Sequence, residues 1–279
     1  MTFFQLINAS ISELVTKDEV FFLLKDSFEI TRSQLIASLQ EAVPDGVFLQ
    51  KFQKNIDRRR TGEPLAYILG NASFLGTSFN VKPDVLIPRP ETELLVLAVI
   101  SYCKNRGIKN PLIIELGYGS GCILLSLALK FPRLKGYGWD ISQIAYDIAS
   151  ENQTALGCDS VTFYHGDFFE DNKVTSLLRE KNVIFVSNPP YISTADIALL
   201  DTDVKQYESS IALDGGNDGL DFYRQCFQLF KGTDVSQFYE MGIGQKVHLC
   251  QLAKQNGYLS ISVDDDYQGI PRIFKLNGC

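Results

Sequence analysis

The sequence contains no uncharged apolar run of about 18 residues, so it predicts no membrane-spanning helix. Its first twenty residues lack a basic start and acquire acids early, which is unlike a signal peptide. Only two histidines are present and the six cysteines include no CxxC pair, so we expect no metal site. Scattered thiols without an export signal are typical of a reducing compartment, and we expect a cytoplasmic protein.

An excess of basic residues is also missing. The 279 residues carry a formal net charge of −7, and 45% of them are apolar, which is typical of a folded globular protein and excludes intrinsic disorder. Residues 1–90 are neutral overall, so residues 91–279 account for the whole negative charge. Because phosphate contacts need cations, we expect no direct nucleic acid requirement.

Three parts follow one another along the chain. Apolar periodicity and a Thr31–Gln34 capping box predict a small helical domain over residues 1–62. Residues 63–90 combine YILGNASFLGTSFNV, which alternates like a β-hairpin, with VKPDVLIPRPETE, whose three prolines indicate a stiff linker. Residues 91–279 form the third part.

The third part alternates short apolar strands with helical segments, which predicts an α/β fold with a mostly parallel sheet. The last two strands are joined by DDYQGIP, which is too short for a parallel crossover, so the last strand should be antiparallel. The seven predicted strands are PLIIELG, GYGWDI, VTFYHGD, NVIFVSNPP, SQFYEMG, YLSISVD and RIFKLN; the predicted helices fall near 91–105, 121–131, 142–156, 173–181, 215–231 and 243–256.

A glycine-rich turn follows the first of these strands, where ligands bind in open α/β sheets. The turn has the spacing GxGxG, which differs from the GxGxxG of dinucleotide-binding proteins and from the P-loop. The alternative is a tight turn without a ligand. We expect the turn to bind a cofactor through Gly117, Tyr118, Gly119, Ser120 and Gly121.

Carboxylates follow the next two strands. Asp140, about 20 residues beyond the turn, is placed to accept hydrogen bonds from ribose hydroxyls, or else to cap the following helix. Asp167 and Phe168 follow the third strand and are placed to flank an adenine. A loop acid beside a core aromatic residue explains that pair equally well.

The motif Asn188-Pro189-Pro190-Tyr191 follows the fourth strand. The Asn188 amide oxygen and the Pro189 carbonyl can together accept both hydrogens of a planar NH₂ group, and Tyr191 can stack on that group. Two acceptors orient a poorly nucleophilic nitrogen towards an electrophile, without a general base. We therefore expect Asn188, Pro189 and Tyr191 to be catalytic, and the whole motif to bind substrate.

Together these motifs resemble class I S-adenosylmethionine-dependent methyltransferases, which have a Rossmann-like sheet of seven strands. RRRTGEPLAYILGNASFLGTSFNVKPDVLIPRPETELLV, ALDGGNDGLDFYR, YEMGIGQ and VDDDYQGIPRIF narrow the resemblance to the HemK/PrmC family of peptide chain release factor N5-glutamine methyltransferases. The resemblance implies methylation of the glutamine in a Gly-Gly-Gln loop of class I release factors, with the helical domain docking that partner.

The resemblance also implies a role for each motif. Gly117, Gly119 and Gly121 would line the methionyl part of S-adenosylmethionine, Asp140 its ribose and Phe168 its adenine. Asn188 would touch both cofactor and substrate, and Arg89, Pro90, Glu91 and Thr92 would lie near the cofactor pocket. We expect a monomer that does not bind membranes.

Two segments of the chain depart from the family pattern. Glu115 and Tyr118 stand where members usually have an aspartate and a small residue, and Glu208-Ser209 replaces a usual Glu-Pro. Tyr118 either points out of the turn or weakens cofactor binding. Three rival functions stay open: a DNA adenine-N6 methyltransferase, which can hold its base amine in the same way, a non-catalytic adaptor and, with least support, an NAD(P) oxidoreductase.

Overall fold

The computed structural model describes residues 1–200 and 202–277, and these residues form two compact units. The helical unit comprises residues 1–71 and 202–207, and the sheet unit comprises the described residues of 72–200 and 208–277. Residues 202–207 therefore belong to the helical unit, although in sequence they fall within the predicted segment 91–279. The five described cysteines are free thiols, and Cys279 lies outside the described residues.

Capping boxes begin three helices of the helical unit. At each one a threonine and the Gln or Glu three residues later exchange side-chain to backbone hydrogen bonds, and the predicted Thr31–Gln34 box is among them. Val20, Leu23, Leu35 and Phe52 are buried in the centre of this unit. Its helices are α1 (Phe3–Ser10), α2 (Lys17–Phe28), α3 (Arg32–Ala37), α4 (Val47–Arg60), α5 (Leu65–Leu69) and α11 (Thr202–Tyr207).

The predicted hairpin is shorter than its sequence pattern indicates. Strands β1 (Asn71–Phe74) and β2 (Thr77–Asn80) pair around Leu75 and Gly76, which both have positive φ. The preceding Tyr67–Leu69 segment, predicted as part of the hairpin, is instead in helix α5. Gly70 ends that helix in the left-handed conformation, so the chain turns before the first strand begins.

The sheet unit contains a seven-stranded sheet in the order β5-β4-β3-β6-β7-β9-β8. All its strand pairs are parallel except those of β9, which is antiparallel to both β7 and β8. The predicted mostly parallel sheet with an antiparallel last strand is confirmed. The strands are β3 (Leu112–Leu116), β4 (Lys135–Asp140), β5 (Val161–His165), β6 (Val183–Ser187), β7 (Ser236–Glu240), β8 (Ser260–Asp265) and β9 (Pro271–Asn277).

Helices cover both faces of this sheet, and two buried apolar clusters lie between them and the strands. The predicted helix over 215–231 begins only at Asp221, because glycines 215, 216 and 219 form a turn before it. No described helix is both long and apolar enough to cross a membrane. The helices are α6 (Pro90–Asn105), α7 (Cys122–Lys130), α8 (Gln143–Leu156), α9 (Asn172–Leu177), α10 (Thr194–Ile197), α12 (Ser210–Leu213), α13 (Asp221–Leu229) and α14 (Lys246–Gln255).

Candidate active site

The predicted site residues follow the carboxyl ends of four neighbouring parallel strands. The glycine-rich turn follows β3, Asp140 ends β4, Gly166 to Phe168 follow β5, and Asn188 to Tyr191 follow β6. The chain order reverses between β3 and β6, which is the point where an open α/β sheet binds its ligands. The sheet thus brings the motifs to one edge.

Asp140 is hydrogen-bonded to the glycine-rich turn. Its Oδ2 accepts the backbone N–H of Gly119 at 3.0 Å, and its Oδ1 accepts that of Ser142 at 2.9 Å. Ser142, not Asp140, is the N-cap of helix α8, so capping does not explain the carboxylate. Burial raises the pKa of Asp140 above its ordinary value, although the backbone hydrogen bonds oppose this effect.

Backbone conformation explains the glycines of the turn. Gly117, Gly119 and Gly121 have φ of 72°, 53° and 77°, in the left-handed region that favours glycine. A Cβ at Gly121 would lie 2.9 Å from the ring of Phe163, so this position is also sterically closed. The backbone of the turn therefore favours glycine at each of the three positions of the GxGxG spacing.

Asn152 of helix α8 holds the turn from the other side. Its Nδ2 donates to the carbonyl of Ser120 at 2.9 Å and to that of Asn80 at 3.1 Å, and its Oδ1 accepts the Asn80 N–H at 2.7 Å. Ser120 is itself buried, and among the described residues its Oγ has no hydrogen-bond partner. Sequence reasoning missed Asn152, because nothing in a helical segment marks a residue that contacts two distant loops.

Tyr118 points into the core. Its side chain is 2% exposed, its ring centroid lies 4.5 Å from that of Phe163, and its hydroxyl donates to the carbonyl of Tyr164 at 3.2 Å. A Cβ at Gly138 of β4 would lie 2.9 Å from the Tyr118 ring, so this glycine makes room for it. The tyrosine therefore does not point outward, and only its backbone is left to contact a ligand in the turn.

Glu115 is a fully buried carboxylate on β3. Its Oε2 accepts the backbone N–H of Leu124 at 3.0 Å, and among the described residues its Oε1 has no partner. Burial raises the pKa of Glu115 well above its ordinary value, and the nearby Asp140 carboxylate adds to the effect. Two carboxyl groups therefore lie beside the glycine-rich turn.

Asp167 and Phe168 are neighbours in sequence, but one is exposed and the other is buried. Asp167 is exposed, and its Oδ1 accepts the N–H of Phe169 at 2.8 Å. Phe168 is 1% exposed, with its ring centroid 5.4 Å from Trp139 and 6.0 Å from Phe185, so it is a core aromatic residue here. That Phe168 contacts adenine stays a prediction, and the burial of its side chain does not support it.

A hydrogen-bonded network surrounds the Asn188 motif. Asn188 Nδ2 donates to the Thr92 hydroxyl at 3.1 Å, and that hydroxyl donates to Glu240 Oε2 at 2.6 Å. Tyr191 donates its hydroxyl to Glu240 Oε1 at 3.2 Å. Glu240 is 1% exposed, and its burial raises its pKa and that of the Tyr191 phenol. Among the described residues, no donor reaches Asn188 Oδ1 or the Pro189 carbonyl oxygen.

Glycines and one glutamine brace the backbone of this motif. A Cβ at Gly215 would lie 2.7 Å from the Pro190 carbonyl oxygen, and one at Gly219 would overlap the Tyr191 carbonyl oxygen. Gln245 Nε2 donates to the Tyr191 and Gly219 carbonyls at 2.9 and 3.1 Å. The segments ALDGGNDG and YEMGIGQ, noted in the sequence only for their resemblance, thus wrap around the strand end.

The described residues contain no group of three or more His, Cys, Asp or Glu side chains placed to hold a metal ion.

Comparisons with known proteins show the family to which this chain belongs. Residues 14–70 match the PrmC N-terminal domain family. A release factor glutamine methyltransferase of Moorella thermoacetica is 38% identical over 263 residues, covering 92% of this chain and 89% of the relative. The chain belongs to the release factor glutamine methyltransferase family. A second member, from Neisseria gonorrhoeae, is 36% identical over 262 residues, with 92% of each chain covered.

Solved structures support the fold of this methyltransferase. The hMettl16 catalytic domain, solved in complex with MAT2A 3′UTR hairpin 1, matches with a TM-score of 0.58 and 12% identity. The match covers 82% of this chain and 80% of that one. At this identity it shows the fold alone, and the predicted family and Rossmann-like α/β fold are both confirmed.

Proposed function

We propose that this protein transfers a methyl group from S-adenosylmethionine to the side-chain amide N5 of the glutamine in the Gly-Gly-Gln motif of class I peptide chain release factors. The observation that carries the proposal is a pair of acceptors, Asn188 Oδ1 and the Pro189 carbonyl, that no donor of the described residues reaches. They lie side by side in the chain, on a backbone that Pro189 and Pro190 make rigid. A primary amide has two N–H donors, which match this pair.

The residues around the glycine-rich turn fit S-adenosylmethionine. Each oxygen of the Asp140 carboxylate has a second lone pair beyond the backbone bond it accepts, so ribose hydroxyls can still bind there. Gly117 is exposed and Gly119 half-buried, so the backbone of the turn can approach the methionyl part closely. When bound, the cofactor supplies a sulfonium methyl group, which is a preactivated electrophile.

The Asn188 motif would act by positioning. Asn188 Oδ1 and the Pro189 carbonyl accept the two N–H groups of the glutamine, and Tyr191 packs against the planar amide. Hydrogen bonds from nitrogen to two acceptors increase its electron density and fix the direction of its attack. The glutamine nitrogen would bond to the methyl carbon while the bond from that carbon to sulfur breaks, leaving S-adenosylhomocysteine, and the proton lost from nitrogen would pass to solvent.

The three parts of the chain would divide the work. We assign residues 91–279 to cofactor binding and catalysis, residues 63–90 to a hairpin and linker beside the site, and residues 1–62 to docking of the release factor. The helical unit exposes the aromatic side chains of Phe4, Phe22 and Phe48, each by nearly half, which suits a protein partner. A monomer that needs no nucleic acid is sufficient for this reaction.

A methylation assay tests the proposal. Purified protein and S-adenosylmethionine are incubated with an unmodified release factor, with a release factor whose motif glutamine is replaced by glutamate, and with duplex DNA. We expect mass spectrometry to find one added methyl group on the Gly-Gly-Gln peptide alone. Methylated adenine without methylated peptide would support the DNA methyltransferase instead, and cofactor binding without any transfer would support a non-catalytic adaptor.

A further inference from the structure

We propose that Glu240, acting through Thr92, sets the orientation of the Asn188 side-chain amide, so that the amide oxygen rather than its NH₂ group faces the substrate nitrogen. Thr92 and Glu240 are positioning residues in this scheme, since neither needs to touch the substrate. The inference rests on the proposed function, and it assigns to helix α6 and strand β7 a part in substrate recognition.

The single hydrogen of the Thr92 hydroxyl decides the direction of these hydrogen bonds. The Thr92 hydroxyl has one hydrogen, and an ionised carboxylate can only accept, so at 2.6 Å that hydrogen belongs to the bond with Glu240 Oε2. The Thr92 oxygen then has only lone pairs to offer, and Asn188 must present Nδ2 to it, at 3.1 Å. Oδ1 consequently occupies the other position of the planar amide, which is the one free for the substrate.

Reversal of this chain of hydrogen bonds would be costly for the reaction. A donor at position 240 would turn the Thr92 hydrogen towards Asn188, and Asn188 would then offer its oxygen to Thr92. Its NH₂ group would face the NH₂ group of the glutamine, donor against donor. The substrate amide would lose one of its two acceptors and its orientation with it.

The Glu240 carboxylate also holds Tyr191, the second side chain proposed to contact the substrate amide. Glu240 Oε1 accepts the Tyr191 hydroxyl at 3.2 Å, and the backbone carbonyl of Glu240 accepts the Tyr223 hydroxyl at 2.7 Å. One buried group therefore orients both Asn188 and Tyr191. A carboxylate suits this position, because it can accept two hydroxyl hydrogens at once and donates none.

The groups that face Glu240 come from five elements around it. Thr92 and Glu91 lie on α6, Cys122 begins α7, Tyr191 follows β6, Tyr223 lies on α13 and Arg272 on β9. Arg272 and the two hydroxyl donors favour the ionised carboxylate, whereas burial and Glu91 oppose it. Burial is the largest of these effects and raises the pKa of Glu240. Protonation of Glu240 in acid should therefore reverse the hydrogen bonds that run from Asn188 through Thr92 to Glu240, a chain that we call the relay.

Substitution of Thr92 tests the relay. T92V keeps the side-chain volume and removes the hydroxyl, whereas T92S keeps the hydroxyl. We expect T92V to lower kcat for a Gly-Gly-Gln substrate about tenfold or more, with an unchanged KM for S-adenosylmethionine, and T92S to stay close to wild type. T233V is the matched control, because it removes a Thr233 hydrogen bond to Phe230 that lies outside the site.

The pH profile separates positioning from mere packing. Wild-type kcat should fall in acid as Glu240 takes up a proton, and this acid limb should be missing from T92V. E240Q is a second, isosteric variant: Thr92 and Tyr191 donate to different oxygens of Glu240, and an NH₂ group replaces one of these oxygens, so one of the two hydrogen bonds is reversed and kcat falls. The acid limb should be absent from E240Q as well.

Two results would overturn the inference, and they differ from failure of the proposed function. A wild-type protein that never methylates the peptide refutes the function, and the relay with it. Wild-type methylation with unchanged kcat in folded T92V, or an acid limb retained in both T92V and E240Q, refutes the relay alone. Melting temperatures of T92V and T233V show whether loss of a hydrogen bond has merely loosened the fold.

Discussion

At the scale of single residues, Asp140 links the two loops of the proposed cofactor site, because it accepts backbone N–H groups from the glycine-rich turn and from the start of α8. We expect D140A to raise the dissociation constant for S-adenosylmethionine about tenfold or more, since a hydrogen bond to a charged group contributes about 1.5–3 kcal/mol. Isothermal titration measures this constant. D140N is the control that keeps the shape and removes the charge, and an unchanged constant in D140A would exclude a cofactor contact.

Glu115 should make stability depend on pH. Its pKa in the folded protein lies well above the ordinary 4.5, so above pH 4.5 the folded protein holds a proton that the unfolded chain releases. The free energy of unfolding should therefore fall as pH rises from 4.5 through the folded pKa. E115Q lacks this proton, so its stability relative to wild type should increase with pH in urea titrations. A constant difference between the two proteins would show that Glu115 is ionised throughout.

Sequence reasoning found the residues that follow strand ends. It placed Thr92 near the cofactor pocket only through the family resemblance, and it missed the contacts that hold the site residues in place. Asn188 and Asp140 were identifiable because their motifs are short and local. Thr92 and Glu240, which share a hydrogen bond, are 148 positions apart in the chain, and only the sheet brings them together. The direction of the Tyr118 side chain was open for the same reason, since it depends on the space that Gly138 leaves in the neighbouring strand.

At the scale of elements, the glycine segment before α13 should be required for turnover. G219A places a Cβ against the Tyr191 carbonyl, whereas G244A imposes a similar positive-φ strain where nothing lies within 4 Å. G244A should lose about 1–2 kcal/mol of stability through its positive φ, and G219A should lose more, because its Cβ also overlaps the Tyr191 carbonyl. Only G219A should lose most of its kcat, because only there must the Asn188 motif move. Chemical denaturation and methylation rates compare the pair; equal kcat in both would mean that the segment does not support the motif.

Element prediction succeeded where the hydrophobic pattern is strong. Seven strands and their direction followed from buried apolar runs and from one short connection. The pattern failed at Tyr67–Leu69 and at 215–220, where glycines change the backbone direction within a few residues. The short helices α10 and α12, one turn each, carry too little periodicity to be predicted.

At the scale of the whole molecule, we expect the two units to share the recognition of the release factor. F22S removes an exposed aromatic side chain from the helical unit, and we expect it to raise KM for an intact release factor about tenfold. KM for a short Gly-Gly-Gln peptide should not change, since the peptide needs only the Asn188 motif. Steady-state kinetics with both substrates measures this difference.

L259S is the control for that substitution, because Leu259 is an apolar residue of the sheet unit that is 95% exposed and directly precedes β8. It should leave both KM values unchanged. Equal effects of F22S and L259S, or an effect of F22S on the peptide, would contradict docking by this face of the helical unit.

The claim on which the rest depends is that Asn188 holds the amide that receives the methyl group. The most direct test is the single-turnover rate of methyl transfer to a release factor, measured by tandem mass spectrometry for wild type and N188A at saturating S-adenosylmethionine. The account predicts methylation of the motif glutamine by wild type, and none detectable by N188A, although the variant folds with the same melting profile. Transfer by N188A at the wild-type rate would contradict the account.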